Sequence, residues 1–189
     1  MVQTQSRPMT LESFLALPET KPASDFIDGQ IIQKSMPQGK HSIIQLDFSK
    51  VIDATARANK LARAFTELRC ICGINTVVPD ISVFTWEHLP IDDNGEIANV
   101  FSIAPDWMIE ILSPGQRYPK AIRKIQCCLQ NGTGMGWLID PNDRAVLVHR
   151  PKKEVEVILL EEPDTILPMP DFMSELSYTI ADLFNLLKA

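Results

Sequence analysis

The sequence predicts an α/β (α+β) protein, a mixed β-sheet flanked by helices. Three observations predict it. Residues 63–72, 76–84, 106–112 and 135–139 read as strands, the second and third as apolar runs of the kind that buried strands show. Helical periodicity appears before the first of them, at 41–61, and again between the last two, at 119–130. Acidic residues, Asp80 and Glu110, stand inside two of the apolar runs. An unpaired buried carboxylate is costly, so each needs a cation, a hydrogen-bond network or a raised pKa.

The elements follow in order. Residues 1–9 read as a flexible tail and 10–189 as one domain. Thr10 caps a short helix through Leu17, which Pro18 ends. Residues 25–32 read as two short strands around Asp28-Gly29. His41 opens a helix to about Leu61, with Ile44, Phe48, Val51, Thr55 and Ala58 on its inward face. Residues 63–72 and 76–84 then read as two strands, the second holding Asp80 after Pro79. In the strand 106–112, alternation puts Glu110 on one face with Asp106, Met108 and Leu112, opposite Trp107, Ile109 and Ile111. Pro119 suits the first turn of the next helix, whose buried stripe reads Tyr118, Ile122, Ile125 and Leu129. Lys120 and Lys124 share a face of it. Strands at 135–139, 145–149 and about 155–160 follow, and a last helix covers about 180–187.

Composition narrows the function classes. Apolar residues make up 45% and charged residues 22% of 189, as in soluble globular proteins. A net charge of −6 argues against a strongly basic nucleic-acid surface and against an anionic-membrane binder. No run of about 18 apolar residues suggests a membrane span, and no basic-then-apolar signal segment opens the chain, so the expected location is cytoplasmic. Cys70, Cys72, Cys127 and Cys128 lack paired zinc spacing and read as small buried residues in a reducing compartment. Gly-x-Ser-x-Gly, His-Glu-x-x-His and phosphate-cradling glycine motifs are absent from the sequence.

Two carboxylates from neighbouring strands would make a hard oxygen site suited to Mg²⁺ or Mn²⁺. A lysine beside them could orient a water or stabilise charge on a phosphate. Read from the residues alone, Glu110 is equally well an exposed strand-end acid paired with a base. His41 is either an active-site group or a hydrogen-bonded structural histidine. Arg117, Lys120, Arg123 and Lys124 either steer a phosphate backbone or form an ordinary solvated helix face.

The ordered set Val78-Pro79-Asp80-Ile81-Ser82-Val83 and Pro105-Asp106-Trp107-Met108-Ile109-Glu110-Ile111-Leu112-Ser113-Pro114 resembles the Uma-type restriction endonucleases of the PD-(D/E)XK nuclease superfamily. Asp25-Phe26-Ile27-Asp28-Gly29, the helix-opening His41 and Gly136-Trp137-Leu138-Ile139-Asp140-Pro141 extend the resemblance over about residues 10–185. It implies a restriction-endonuclease-like fold and a metal-dependent DNA endonuclease. Asp80 and Glu110 would be the metal ligands, for Mg²⁺ or Mn²⁺. The superfamily's lysine position holds Leu112 here; the resemblance moves that role to Lys124 on the next helix, with Lys120 as the fallback on the same face. His41 and Asp25 would border the site. DNA is the implied partner, and a homodimer is the simplest way to cut both strands of a duplex. The alternative implied by Leu112 and the glycine-rich 132–136 segment is a nuclease fold without turnover, kept as a binding or assembly module.

Overall fold

A computed structural model of the protein describes residues 9–188, so most of the expected N-terminal tail lies outside the described residues. Helix α1 (Leu11–Leu15) begins at Thr10, whose hydroxyl accepts from the Ser13 amide. A hairpin follows, β1 (Ser24–Ile27) and β2 (Gln30–Gln33), turned by Asp28 and Gly29, both at positive φ. That is the geometry two-residue hairpin turns require, and Gly adopts it at no steric cost.

Helix α2 (Gly39–Ala58) buries His41, Ile44, Phe48, Ile52 and Ala56. The expected stripe through Val51, Thr55 and Ala58 is corrected: from Ile44 the buried row advances in steps of four, and Ala58 is exposed. The expected strand 63–72 is in fact two. β3 (Ala62–Thr66) ends at Glu67, which takes a left-handed φ of 53°, and β4 (Cys70–Cys72) joins a different sheet. The expected strand 76–84 also divides, into β5 (Asn75–Val77) and β6 (Ile81–Thr85). Pro79 has no amide to donate to a ladder, so the chain leaves one sheet before it and enters the other after it. Asp80 therefore stands in the bend between two strands, not inside one.

After β7 (Trp107–Ile111) come α3 (Tyr118–Gln130), β8 (Met135–Asp140), β9 (Ala145–His149), β10 (Glu156–Leu159) and α4 (Ile180–Asn185). The larger sheet has the order β10-β9-β8-β7-β6-β3, mixed because β7 and β8 run parallel across the α3 connection. The smaller sheet is β2-β1-β5-β4. Two apolar layers cover the larger sheet. On one face Phe48 of α2 meets Trp107 and Trp137, whose rings lie 4.9 Å apart, and α4 closes the layer with Ile180 and Leu183. On the other, Met108, Leu112 and Leu138 pack against α3 and the smaller sheet. The alternation expected for β7 thus holds, with Trp107, Ile109 and Ile111 in the first layer. The buried row of α3 is rotated from the expected one: it runs through Ala121, Lys124, Ile125, Cys127 and Cys128. No helix among the described residues is long and apolar enough to cross a membrane.

Candidate active site

β6 and β7 are antiparallel neighbours, with Ile81 opposite Ile109. That register brings Asp80, just before β6, to the end of β7 that carries Glu110. The Asp80 Oδ2 accepts from the Ile111 amide at 2.7 Å, so the acid is tied to the β7 backbone. Both acids are 2% exposed. They line a cleft of about 370 Å³ together with Asp25, Lys34, His41, Lys120 and Lys124. All six site residues expected from the sequence therefore border one cleft. The strand-end reading of Glu110 is corrected, because this glutamate is buried.

Two ammonium groups face the acids. Lys124 Nζ lies 2.8 Å from Glu110 Oε1, donates to its Oε2 at 2.9 Å, and lies 3.4 Å from Asp25 Oδ2. Lys34 Nζ donates to Asp80 Oδ1 at 2.7 Å and to Glu67 Oε1 at 2.8 Å. Both ammoniums also donate to the carbonyl of Val78, whose amide donates to Asp25 Oδ1 at 2.7 Å. Val78-Pro79 is thus a backbone hub joining Asp25 and both lysines. His41 Nε2 is 3.1 Å from Asp80 Oδ2, while its Nδ1 is buried without a hydrogen-bond partner. Lys120 is exposed on the rim and pairs with none of these acids.

Lys34 was not singled out from the sequence. It follows Gln33 at the exposed end of β2, and no spacing relates it to Asp80, which is 46 residues away. The hairpin turn at Asp28-Gly29 was legible, but it does not reveal where the hairpin docks.

The charges sort themselves by neighbour. Burial opposes ionisation of Asp80, yet Lys34, His41 and Lys124 outweigh it and hold the carboxyl well below the usual range. Burial pushes Glu110 up to about 7; Lys124 pulls it back, and the charge of Asp80 adds to the rise. Burial also works against the Lys124 ammonium, but Asp25, Glu110 and Asp80 together raise it above the ordinary lysine value. For Lys34 the Asp80 charge likewise overcomes burial, and its pKa is raised. Lys124 faces three carboxylates, whereas Glu110 faces one close ammonium and two other acids. The fixed charge of that pair is therefore the lysine.

Leu112 occupies the place from which a lysine two residues after Glu110 would project. It is buried in the apolar layer under α3. Lys124 reaches Glu110 from α3 instead, because Gly136 on β8 lets the helix close down: a Cβ there would sit 2.5 Å from Ile125 Cγ2.

Comparison with other proteins agrees with this architecture. A family model described as "Putative restriction endonuclease", Uma2, matches residues 11–181. A crystal structure titled as a putative nuclease belonging to DUF820 from Anabaena variabilis ATCC 29413 superposes with a TM-score of 0.92. It is 56% identical, and the match covers 95% of this chain and 99% of that one. No curated protein matches the chain. With the family model spanning nearly the whole sequence, the chain belongs to the Uma2 family of restriction-endonuclease-like proteins.

Proposed function

We propose that the protein is a Mg²⁺- or Mn²⁺-dependent endonuclease that hydrolyses phosphodiester bonds in DNA. One observation carries the reading. Glu110 is buried and shares a cleft with Asp80, and among the described residues its Oε1 meets only the Lys124 ammonium, at 2.8 Å and outside hydrogen-bond geometry. Three buried carboxylates, Asp25, Asp80 and Glu110, face two ammoniums there. A divalent cation fits the surplus of hard oxygen donors. Mg²⁺ is commonly held by one or two carboxylates and completes its shell with water and substrate phosphate.

Asp80 and Glu110 would hold the ion. When bound, it supplies Lewis acidity that polarises the phosphodiester and lowers the pKa of a coordinated water. Hydrolysis forms a bond from the water oxygen to phosphorus and breaks the bond to the leaving oxygen, which takes up a proton. Lys124 is held charged by three acids, so it acts as a fixed positive charge beside the pentavalent phosphorus and not as the proton donor. His41 positions Asp80 through Nε2. Arg117 and Lys120 stand exposed on the cleft rim, where they can meet flanking phosphates.

A second reading has an observation of its own. Asp80 is already satisfied by Lys34, His41 and the Ile111 amide, as a purely structural ion-pair network would be. Melting temperature against Mg²⁺ and Mn²⁺ separates the two. At 10 mM, a site of millimolar Kd stabilises by about 1.4 kcal/mol, or roughly 3–6 °C for a domain of this size. The expected result is a metal-dependent rise in the native protein that vanishes in Asp80→Asn and Glu110→Gln, with metal-dependent cleavage of supercoiled DNA lost in Lys124→Ala. Equal metal response in all three proteins, with no cleavage, would leave the binding-module reading.

A further inference from the structure

We infer that the free edge of β10 is a homodimer interface, in which two copies join their larger sheets through antiparallel β10–β10 pairing. β10 ends that sheet, so among the described residues one side of its backbone has no partner strand. The Leu160 amide donates to the Arg144 carbonyl, which makes this a hydrogen-bonded pair in the β9–β10 ladder. Such pairs alternate in an antiparallel ladder. With Ile158 opposite Val146 and Glu156 opposite Val148, residues 156, 158 and 160 spend their amides and carbonyls on β9. Within β10, Val157 therefore turns its amide and carbonyl outward and Leu159 its amide, the Leu159 carbonyl accepting from Glu162, and Val155 continues the row just before the strand.

The side chains of those three residues are apolar and exposed: Val155 46%, Val157 56% and Leu159 42%. They lie on the face shared with α3, because Val157 is opposite Leu147, which packs against that layer. An outward-facing ladder with an apolar row is the arrangement that invites a second strand.

The occupant is fixed by charge. The segment 151–163 reads Pro-Lys-Lys-Glu-Val-Glu-Val-Ile-Leu-Leu-Glu-Glu-Pro. Lys152 and Lys153 stand before the strand and Glu161 and Glu162 after it; all four are exposed and form no ion pair among the described residues. Glu154 and Glu156 also lie at the lysine end, but Glu156 pairs with Arg150, so that end stays net basic and the other acidic, and such an edge is self-complementary only when antiparallel. A two-fold axis through Val157 opposes Val157 to Val157 and Val155 to Leu159, which brings the outward amides of Val157 and Leu159 to the second copy's strand. The same axis brings Lys152 and Lys153 to the second copy's acidic end. Prolines at 151 and 163 bound the paired stretch. A foreign strand would have no reason to share this two-fold charge pattern.

The test is sedimentation of the full chain at up to about 100 μM, where a micromolar contact is saturated. The native protein is expected to be a dimer that weakens with salt. Lys152→Glu with Lys153→Glu should raise the dissociation constant at least tenfold, as should Glu161→Lys with Glu162→Lys. Mixed together, those two double variants should form a heterodimer, and the fourfold swap should restore the homodimer. Val157→Pro removes only an outward amide and should give a folded monomer, verified by circular dichroism. A monomeric native protein, or a dimer untouched by the charge swaps and by Val157→Pro, would overturn the inference. Metal binding and cleavage are read separately, so either idea can fail alone.

Discussion

Lys34 and Lys124 donate to the same oxygen, the carbonyl of Val78, at 3.0 and 3.1 Å. One arrives from the β2 end of the small sheet and the other from α3, and each carries its own acid, Asp80 or Glu110. Two like charges converge on one dipole only because the carboxylates flank them. The pair thus clamps the small sheet and α3 onto the bend that positions Asp80.

Lys34→Met is expected to destabilise the protein by about 3 kcal/mol, since losing one partner of a buried pair leaves the other charge uncompensated. His41 and the Ile111 amide keep the loss at the lower end of the usual range. Adding Asp80→Asn should cost less than the sum of the single changes, a coupling that denaturant melts of the four proteins measure. Lys34 also competes for Asp80 Oδ1. Under the proposed function, Lys34→Met should bind Mn²⁺ more tightly than the native protein, read by isothermal titration.

Gly136→Ala tests how Lys124 is placed. The new methyl would meet Ile125 Cγ2 at 2.5 Å, one residue along α3 from Lys124. Overpacking of this kind costs about 1–3 kcal/mol. Ile125→Ala, which removes the colliding Cγ2, should cost less on top of Gly136→Ala than it does in the native protein. Additive losses in thermal or denaturant melts would mean that the helix does not rest on this contact.

The fold was legible where local rules decide. Glu110 alternates with Trp107, Ile109 and Ile111 because a strand has period two, and the two apolar layers separate them as that period requires. Asp80 and Lys124 could be singled out because each follows an ordered motif. What could not be read was the change of sheet at Pro79 and at Glu67. Both 63–72 and 76–84 can be read as single strands from residue type, and whether a strand crosses from one sheet to another is decided by tertiary packing. Lys34 escaped for the same reason: its role depends on docking a hairpin, not on any local pattern. The polar Lys124 within the buried row of α3 broke the expected stripe, because the apolar rule does not anticipate a buried ammonium among three acids.

The four thiols should be inert in the folded protein. All are free and buried. Burial pushes Cys70 and Cys127 up to about 12, and the Cys72 hydrogen bond, with burial added, holds Cys128 well above the ordinary value. The thiolate is the reactive form, so at pH 8 only about one part in 10⁴ of a thiol with pKa 12 is available. Ellman's reagent should label none of the four quickly at pH 8 and all four after unfolding in guanidinium. Rapid labelling of the native protein at Cys127, the least buried of the four at 6% exposed, would show that the end of α3 opens.

The C-terminal helix supplies a pH test away from the cleft. The Thr179 amide and hydroxyl both donate to Asp182 Oδ2, at 2.9 and 2.8 Å, and the Asp182 amide donates back to the hydroxyl. These bonds, the backbone one first, lower the Asp182 pKa. A carboxylate depressed in the folded state stabilises fully above its unfolded pKa of about 3.9, and the contribution fades as pH falls through the folded value. Asp182→Asn should therefore be less stable than the native protein at pH 7, with the gap closing below about pH 4. Thr179→Ala should cost about 1 kcal/mol at pH 7 through loss of the cap. Because α4 closes the layer over Phe48 and the two tryptophans with Ile180 and Leu183, its fraying should appear as a change in tryptophan fluorescence before global unfolding. A gap between Asp182→Asn and native protein that stays constant from pH 7 to pH 3 would mean that the carboxylate's charge contributes nothing to the cap.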